Sequence, residues 1–100
     1  MAEDLYDLAM EMAETAGLLE GFMGYPQPVP FVGHGVGLEI DERPVIGRAS
    51  RTLLEEGMVM TLEPKVVLPG TGTVGIENTF VVTPKGMKKL NRFPDAIFTC

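Results

Sequence analysis

Two runs of strand-forming residues, roughly Met58 to Leu68 and Thr73 to Thr83, meet at Pro69-Gly70-Thr71-Gly72, and this spacing predicts a long hairpin. Val, Ile, Thr and Phe fill both arms, as a pleated, half-buried surface prefers. Each arm also carries a glutamate in an otherwise uncharged setting: Glu63 in Val59-Met-Thr-Leu-Glu-Pro64 and Glu77 in Val74-Gly-Ile-Glu-Asn-Thr-Phe80. A three-residue loop pairs Leu68 with Gly72, and that register sets Glu63 directly opposite Glu77 on one face. A slip of one residue would separate them. Opposed carboxylates with Cβ atoms about 4.5–5.5 Å apart repel unless one is protonated or a cation lies between them.

A nitrogen ligand for such a cation lies upstream. Phe31-Val-Gly-His-Gly-Val-Gly-Leu38 reads as a strand whose glycines let another backbone or a ligand come close, with His34 at its centre. One histidine with two carboxylates is a mixed donor set suited to Zn, Mn, Fe or Co, not a soft thiolate site. The same residues also fit a hydrogen-bonded structural histidine and two solvent-facing glutamates, and spacing leaves both readings open. No phosphate loop surrounds His34, and Ser50, the only serine, sits in no nucleophile elbow.

The rest of the chain reads as support. Leu5, Leu8, Ala9, Met12, Ala13 and Ala16 share one stripe of a helix stopped by Gly17, with Glu3, Asp7, Glu11 and Glu14 opposite. A second helical turn is expected over residues 18–23. Pro26, Pro28 and Pro30 then make an extended connector, residues 39–56 read as irregular with turns at Arg43-Pro44 and Ile46-Gly47, and residues 87–100 read as a mostly irregular tail. At 100 residues the chain is one domain of α+β class.

Charge narrows the partners. Residues 1–42 hold nine acids and no Lys or Arg, and the net charge is −6, which argues against a nucleic-acid or anionic-membrane footprint. The acidic start lacks a secretory pattern, and the one cysteine, Cys100, cannot form a disulfide within the chain, so a cytoplasmic location is expected. Apolar residues exceed the usual share, which predicts surface that a partner covers.

Three ordered blocks, Phe31-Val-Gly-His-Gly-Val-Gly-Leu-Glu-Ile-Asp-Glu-Arg-Pro44, Leu54-Glu-Glu-Gly-Met-Val-Met-Thr-Leu-Glu-Pro64 and Gly75-Ile-Glu-Asn-Thr-Phe-Val-Val-Thr-Pro-Lys-Gly86, resemble the pita-bread metallopeptidases, especially the prolidase and Xaa-Pro aminopeptidase branch. The resemblance implies half of a pita-bread fold, the C-terminal half of a catalytic domain spanning residues 1–100. It also implies a two-metal site with five protein ligands, which hydrolyses peptides with metal-activated water. His34, Glu63 and Glu77 match three of those ligands, with Glu63 also the proton shuttle. The two aspartates belong to an earlier hairpin, so at most one weakly held divalent ion (Mn, Co, Zn or Fe) is expected here. Asp41 stands where many relatives place a substrate-contacting histidine, which makes it a doubtful catalytic candidate. The resemblance thus implies a peptidase acting on peptide substrate once a complementing N-terminal half is present. The alternative is a non-catalytic module that forms a homodimer or binds another partner.

Overall fold

The structure, a computed structural model, describes residues 1–96; Cys100 lies outside the described residues. Helix α1 (Ala2–Thr15) is followed by β1 (Phe31–Gly35), β2 (Glu42–Gly47), β3 (Val59–Leu62), β4 (Lys65–Leu68), β5 (Gly72–Gly75), β6 (Asn78–Thr83) and β7 (Gly86–Lys89). Five strands form an antiparallel sheet in the order β2-β1-β3-β6-β7, and β4 with β5 forms a separate two-stranded ribbon.

The hairpin register is the expected one. Val59 to Leu62 pair with Val81 to Asn78, and Lys65 to Leu68 pair with Gly75 to Gly72, one continuous alignment that holds Glu63 opposite Glu77. The two arms are nevertheless not unbroken strands. Regular pairing lapses at Glu63-Pro64 and Ile76-Glu77, because proline has no N–H for the ladder, although Ile76 N–H still donates to the Pro64 carbonyl at 3.2 Å. The ladder thus opens where the two glutamates face each other.

Helix α1 ends as a Schellman motif. Leu18 N–H donates to the Ala13 carbonyl and Gly17 N–H to that of Glu14, with Gly17 at φ +73°, a conformation that favours glycine. At the other end, Ala2 and Glu3 N–H donate to the Thr52 and Ser50 carbonyls, which ties the helix start to the β2–β3 connection. Its buried stripe differs from the expected one. Ala2, Tyr6 and Ala13 are buried and Leu5, Ala9 and Met10 pack against the core, while Leu8 and Met12 are exposed. The stripe is rotated by roughly 60° at 100° per residue, because Tyr6 and Met10, not Leu8 and Met12, meet Phe22, Met23, Val32, Ile46 and Met60 in the core.

Three further expectations are corrected. Residues 18–23 form no helical turn; instead Phe22 bridges Val66, with Met23 N–H donating to the Lys65 carbonyl and Val67 N–H to that of Gly21. Residues 39–56 are not irregular throughout: they contain β2, an edge strand where Pro44 costs little because its missing N–H breaks no interior ladder. The tail begins with β7, turned back on β6 at Pro84-Lys85. Beyond β7, Asn91 Oδ1 accepts from Thr79 N–H at 2.8 Å and Asn91 Nδ2 donates to Asn78 Oδ1 at 2.6 Å. Asp95 accepts from Lys89 Nζ and Asn78 Nδ2, and these bonds hold its carboxyl below the usual range.

Gly33 allows β1 to sit between β2 and β3. A Cβ there would run into the Thr61 carbonyl, whereas one on Gly37 would meet only the movable Glu42 carboxylate. Gly33→Ala is therefore expected to cost about 2–3 kcal/mol and Gly37→Ala less than about 1 kcal/mol, checked by paired thermal melts.

Candidate metal centre

Because side chains alternate along a strand, the break in the hairpin leaves Glu63 and Glu77 on the same face as Thr61 and Thr79, two residues earlier and later. His34 is the cross-strand neighbour of Thr61, which is in turn that of Thr79. The row His34, Thr61, Thr79 thus crosses three strands, and the two glutamates stand beside it. Sequence reasoning passes over the threonines, although counting by twos from each glutamate reaches them. Their hydroxyls lie 3.2 Å apart, and Thr61 is buried.

One donor atom from each of His34, Glu63 and Glu77 lies within 4.8 Å of the others. His34 is buried, Glu63 half-buried and Glu77 exposed, so the group opens from protein to solvent. His34 Nδ1 lies 3.0 Å from the Gly35 carbonyl. A carbonyl only accepts, so that contact places a proton on Nδ1 and leaves Nε2 facing the Glu63 carboxylate, 3.4 Å away. In the neutral ring, an imidazole lone pair and a carboxylate face each other at that distance. Burial opposes charging of the ring, but the Gly35 carbonyl, Asp41 and Glu63 outweigh it and hold the imidazole pKa above its ordinary 6.5. Protonation or a cation would relieve the same clash, so the donor set fits a divalent ion.

Asp41 is not part of this group. It sits 3.8 Å from Nδ1, at the other ring nitrogen, and is mostly exposed. The Gly35 carbonyl contact fixes the ring orientation, the usual arrangement behind a ligating histidine.

Residues 1–84 match metallopeptidase family M24, and the chain belongs to that family. It is 40% identical over 91 residues to the Xaa-Pro dipeptidase of Pyrococcus furiosus, covering 91% of this chain and 24% of the relative. Among solved structures, the prolidase from Pyrococcus furiosus superposes with a TM-score of 0.81 at 39% identity, over 93% of this chain and 26% of that one. The X-Pro aminopeptidase from Thermotoga maritima gives 0.85 at 32% identity, over 97% and 26%. The fold is therefore the α+β half of a pita-bread domain that the resemblance implies. The chain spans about a quarter of the length of the relatives it matches. No helix among the described residues is long and apolar enough to cross a membrane.

Proposed function

We propose that the chain is the C-terminal half of the catalytic domain of a cytoplasmic, metal-dependent Xaa-Pro dipeptidase or aminopeptidase, active only when a further segment supplies the remaining carboxylate ligands. The observation that carries this reading is the convergence of His34, Glu63 and Glu77 donors within 4.8 Å at the break of one hairpin. These three would hold a divalent ion, whose Lewis acidity lowers the pKa of water and polarises a peptide carbonyl. The chain's own groups do the rest. The Gly35 carbonyl orients His34, so that Nε2 is presented without rotamer search. Glu63, half-buried beside that nitrogen, would take a proton from the attacking water and return it to the leaving nitrogen. Glu77, exposed, closes the group on the solvent side, where the missing ligands would enter.

The test is hydrolysis of Xaa-Pro dipeptides with Mn²⁺ or Co²⁺. The chain alone is expected to give no turnover, and the chain with the upstream part of the catalytic domain is expected to hydrolyse them. A reconstituted pair that binds but does not hydrolyse would sink the proposal.

One observation favours a second reading, a self-associating module without catalysis. Leu8 and Met12 on the outer side of α1, and Leu38 and Ile40 in the loop leading to Asp41, all expose large apolar side chains. That reading requires a stable homodimer in solution and no activity in any combination.

A further inference from the structure

Of the three candidate ligands, Glu77 is the exposed one, and it lies where the hairpin ladder lapses. Just before it, Ile76 N–H is tied to the Pro64 carbonyl at 3.2 Å, and regular pairing resumes at Asn78. Packing therefore does little to hold the Glu77 carboxylate, and its direction depends on how firmly the next two residues are fixed.

Those two residues are fixed from beyond β7. Leu90 N–H donates to the Thr79 carbonyl at 2.8 Å, which carries the β6–β7 pairing one residue past Phe80 and Lys89. The return bond that completes such an antiparallel pair runs from Thr79 N–H to Asn91 Oδ1, at 2.8 Å, in place of a main-chain carbonyl. The same amide then reaches the residue beside Glu77. Asn91 Nδ2 donates to Asn78 Oδ1 at 2.6 Å, Asn78 Nδ2 donates to Asp95 Oδ1 at 3.1 Å, and Lys89 Nζ donates to that same oxygen at 2.8 Å. Every donor in the chain points towards one carboxylate, which only accepts. Neither amide can turn over without setting like groups against each other at both of its ends.

We propose that Asn91 is a positioning residue for the metal centre: it fixes the main chain at Asn78 and Thr79, and through them the direction in which Glu77 presents its carboxylate. This rests on the metal-centre reading. The task needs an acceptor and a donor on one short planar group. Aspartate would set an oxygen against Asn78 Oδ1, and leucine would leave the Thr79 N–H without its acceptor. Supports of this kind behind a ligand are worth about 10–100-fold in metal affinity.

The experiment measures the Zn²⁺ affinity of the 100-residue chain, by competition with a coloured chelator, for the wild type, Asn91→Leu, Glu77→Gln and the double variant. Asn91→Leu is expected to weaken binding about tenfold in the wild type and to change nothing further in Glu77→Gln, where the ligand it supports is already gone. Equal weakening in both backgrounds, or none in either, overturns the assignment. Asp95→Ala, at an exposed position, removes the acceptor at the end of the chain and is expected to weaken binding in the same direction by a smaller factor. If Asn91→Leu does not fold, an unchanged affinity in Asp95→Ala overturns the assignment. A wild type that binds no Zn²⁺ overturns the metal-centre reading instead, and metal-free ¹⁵N relaxation then decides whether Asn91 holds Glu77. Order at residues 77 and 78 is expected to fall in Asn91→Leu while that at 34 and 63 stays the same; unchanged order at 77 and 78 overturns the positioning role.

Discussion

Glu63→Gln, assayed in the chain completed by its upstream part, is expected to cut kcat for Xaa-Pro dipeptides by at least about 10³-fold, with folding unchanged. General acid–base catalysis alone is worth about 10²–10⁴-fold, and glutamine removes the negative charge that a cation needs as well as the proton acceptor. The amide keeps the shape of the carboxylate, so no cavity opens and the helix and sheet should persist. The Glu63 Oε2 lies 3.4 Å from His34 Nε2, closer to the ring than the Asp41 carboxylate at 3.8 Å. A variant that keeps activity within fivefold of the wild type would remove Glu63 from the chemistry and leave it a structural acid at a hairpin break.

Met60→Ala is expected to have the largest effect on stability. Met60 has no exposed surface and sits on β3, flanked by β1 and β6, with Gly35 and Phe80 as its cross-strand neighbours. Truncating a buried methionine costs about 2–5 kcal/mol, against about 5–15 kcal/mol for a whole domain. At roughly 4–8 °C per kcal/mol for a domain of this size, the melting temperature should fall by at least about 8 °C. Met60→Leu, which conserves volume, should cost less than about 1.5 kcal/mol. Equal losses in the two variants would mean that sulfur, not volume, matters at this position.

The parts of the fold legible from sequence were those written in local chemistry. Pro69 to Gly72 fixes a short turn, a short turn fixes the register, and the register brings Glu63 and Glu77 face to face. Gly17 stops the helix for the same kind of reason. What escaped was tertiary. The 42–47 stretch is a strand because it lies along β1, yet Arg43-Pro44 inside it reads locally as a turn. Gly86–Lys89 has one apolar residue in four and becomes β7 only through β6. The helix shows two overlapping apolar stripes, and only packing against Ile46 and Met60 selects the one containing Tyr6.

The candidate site divides along the same line. His34 with its flanking glycines and the two strand glutamates stand out in sequence because each is an unlikely residue where it lies. Their meeting depends on β1 pairing with β3 across 23 intervening residues, which no local signal announces. Asp41 stands out only through the resemblance, and the structure adds one observation, that its carboxylate lies 3.8 Å from His34 Nδ1.

Thermal melting of the wild type and Glu77→Gln with and without Zn²⁺ decides whether His34, Glu63 and Glu77 form a cation site. Without the ion, Glu77→Gln should melt slightly higher, because like charges directly opposite on a hairpin cost about 0.2–1 kcal/mol. With Zn²⁺ at about 100 times its dissociation constant, the wild type should gain about 2.7 kcal/mol and Glu77→Gln much less, so the order of the two proteins reverses. Melting curves that keep the same order, with no shift of the wild type on adding the ion, would contradict the claim.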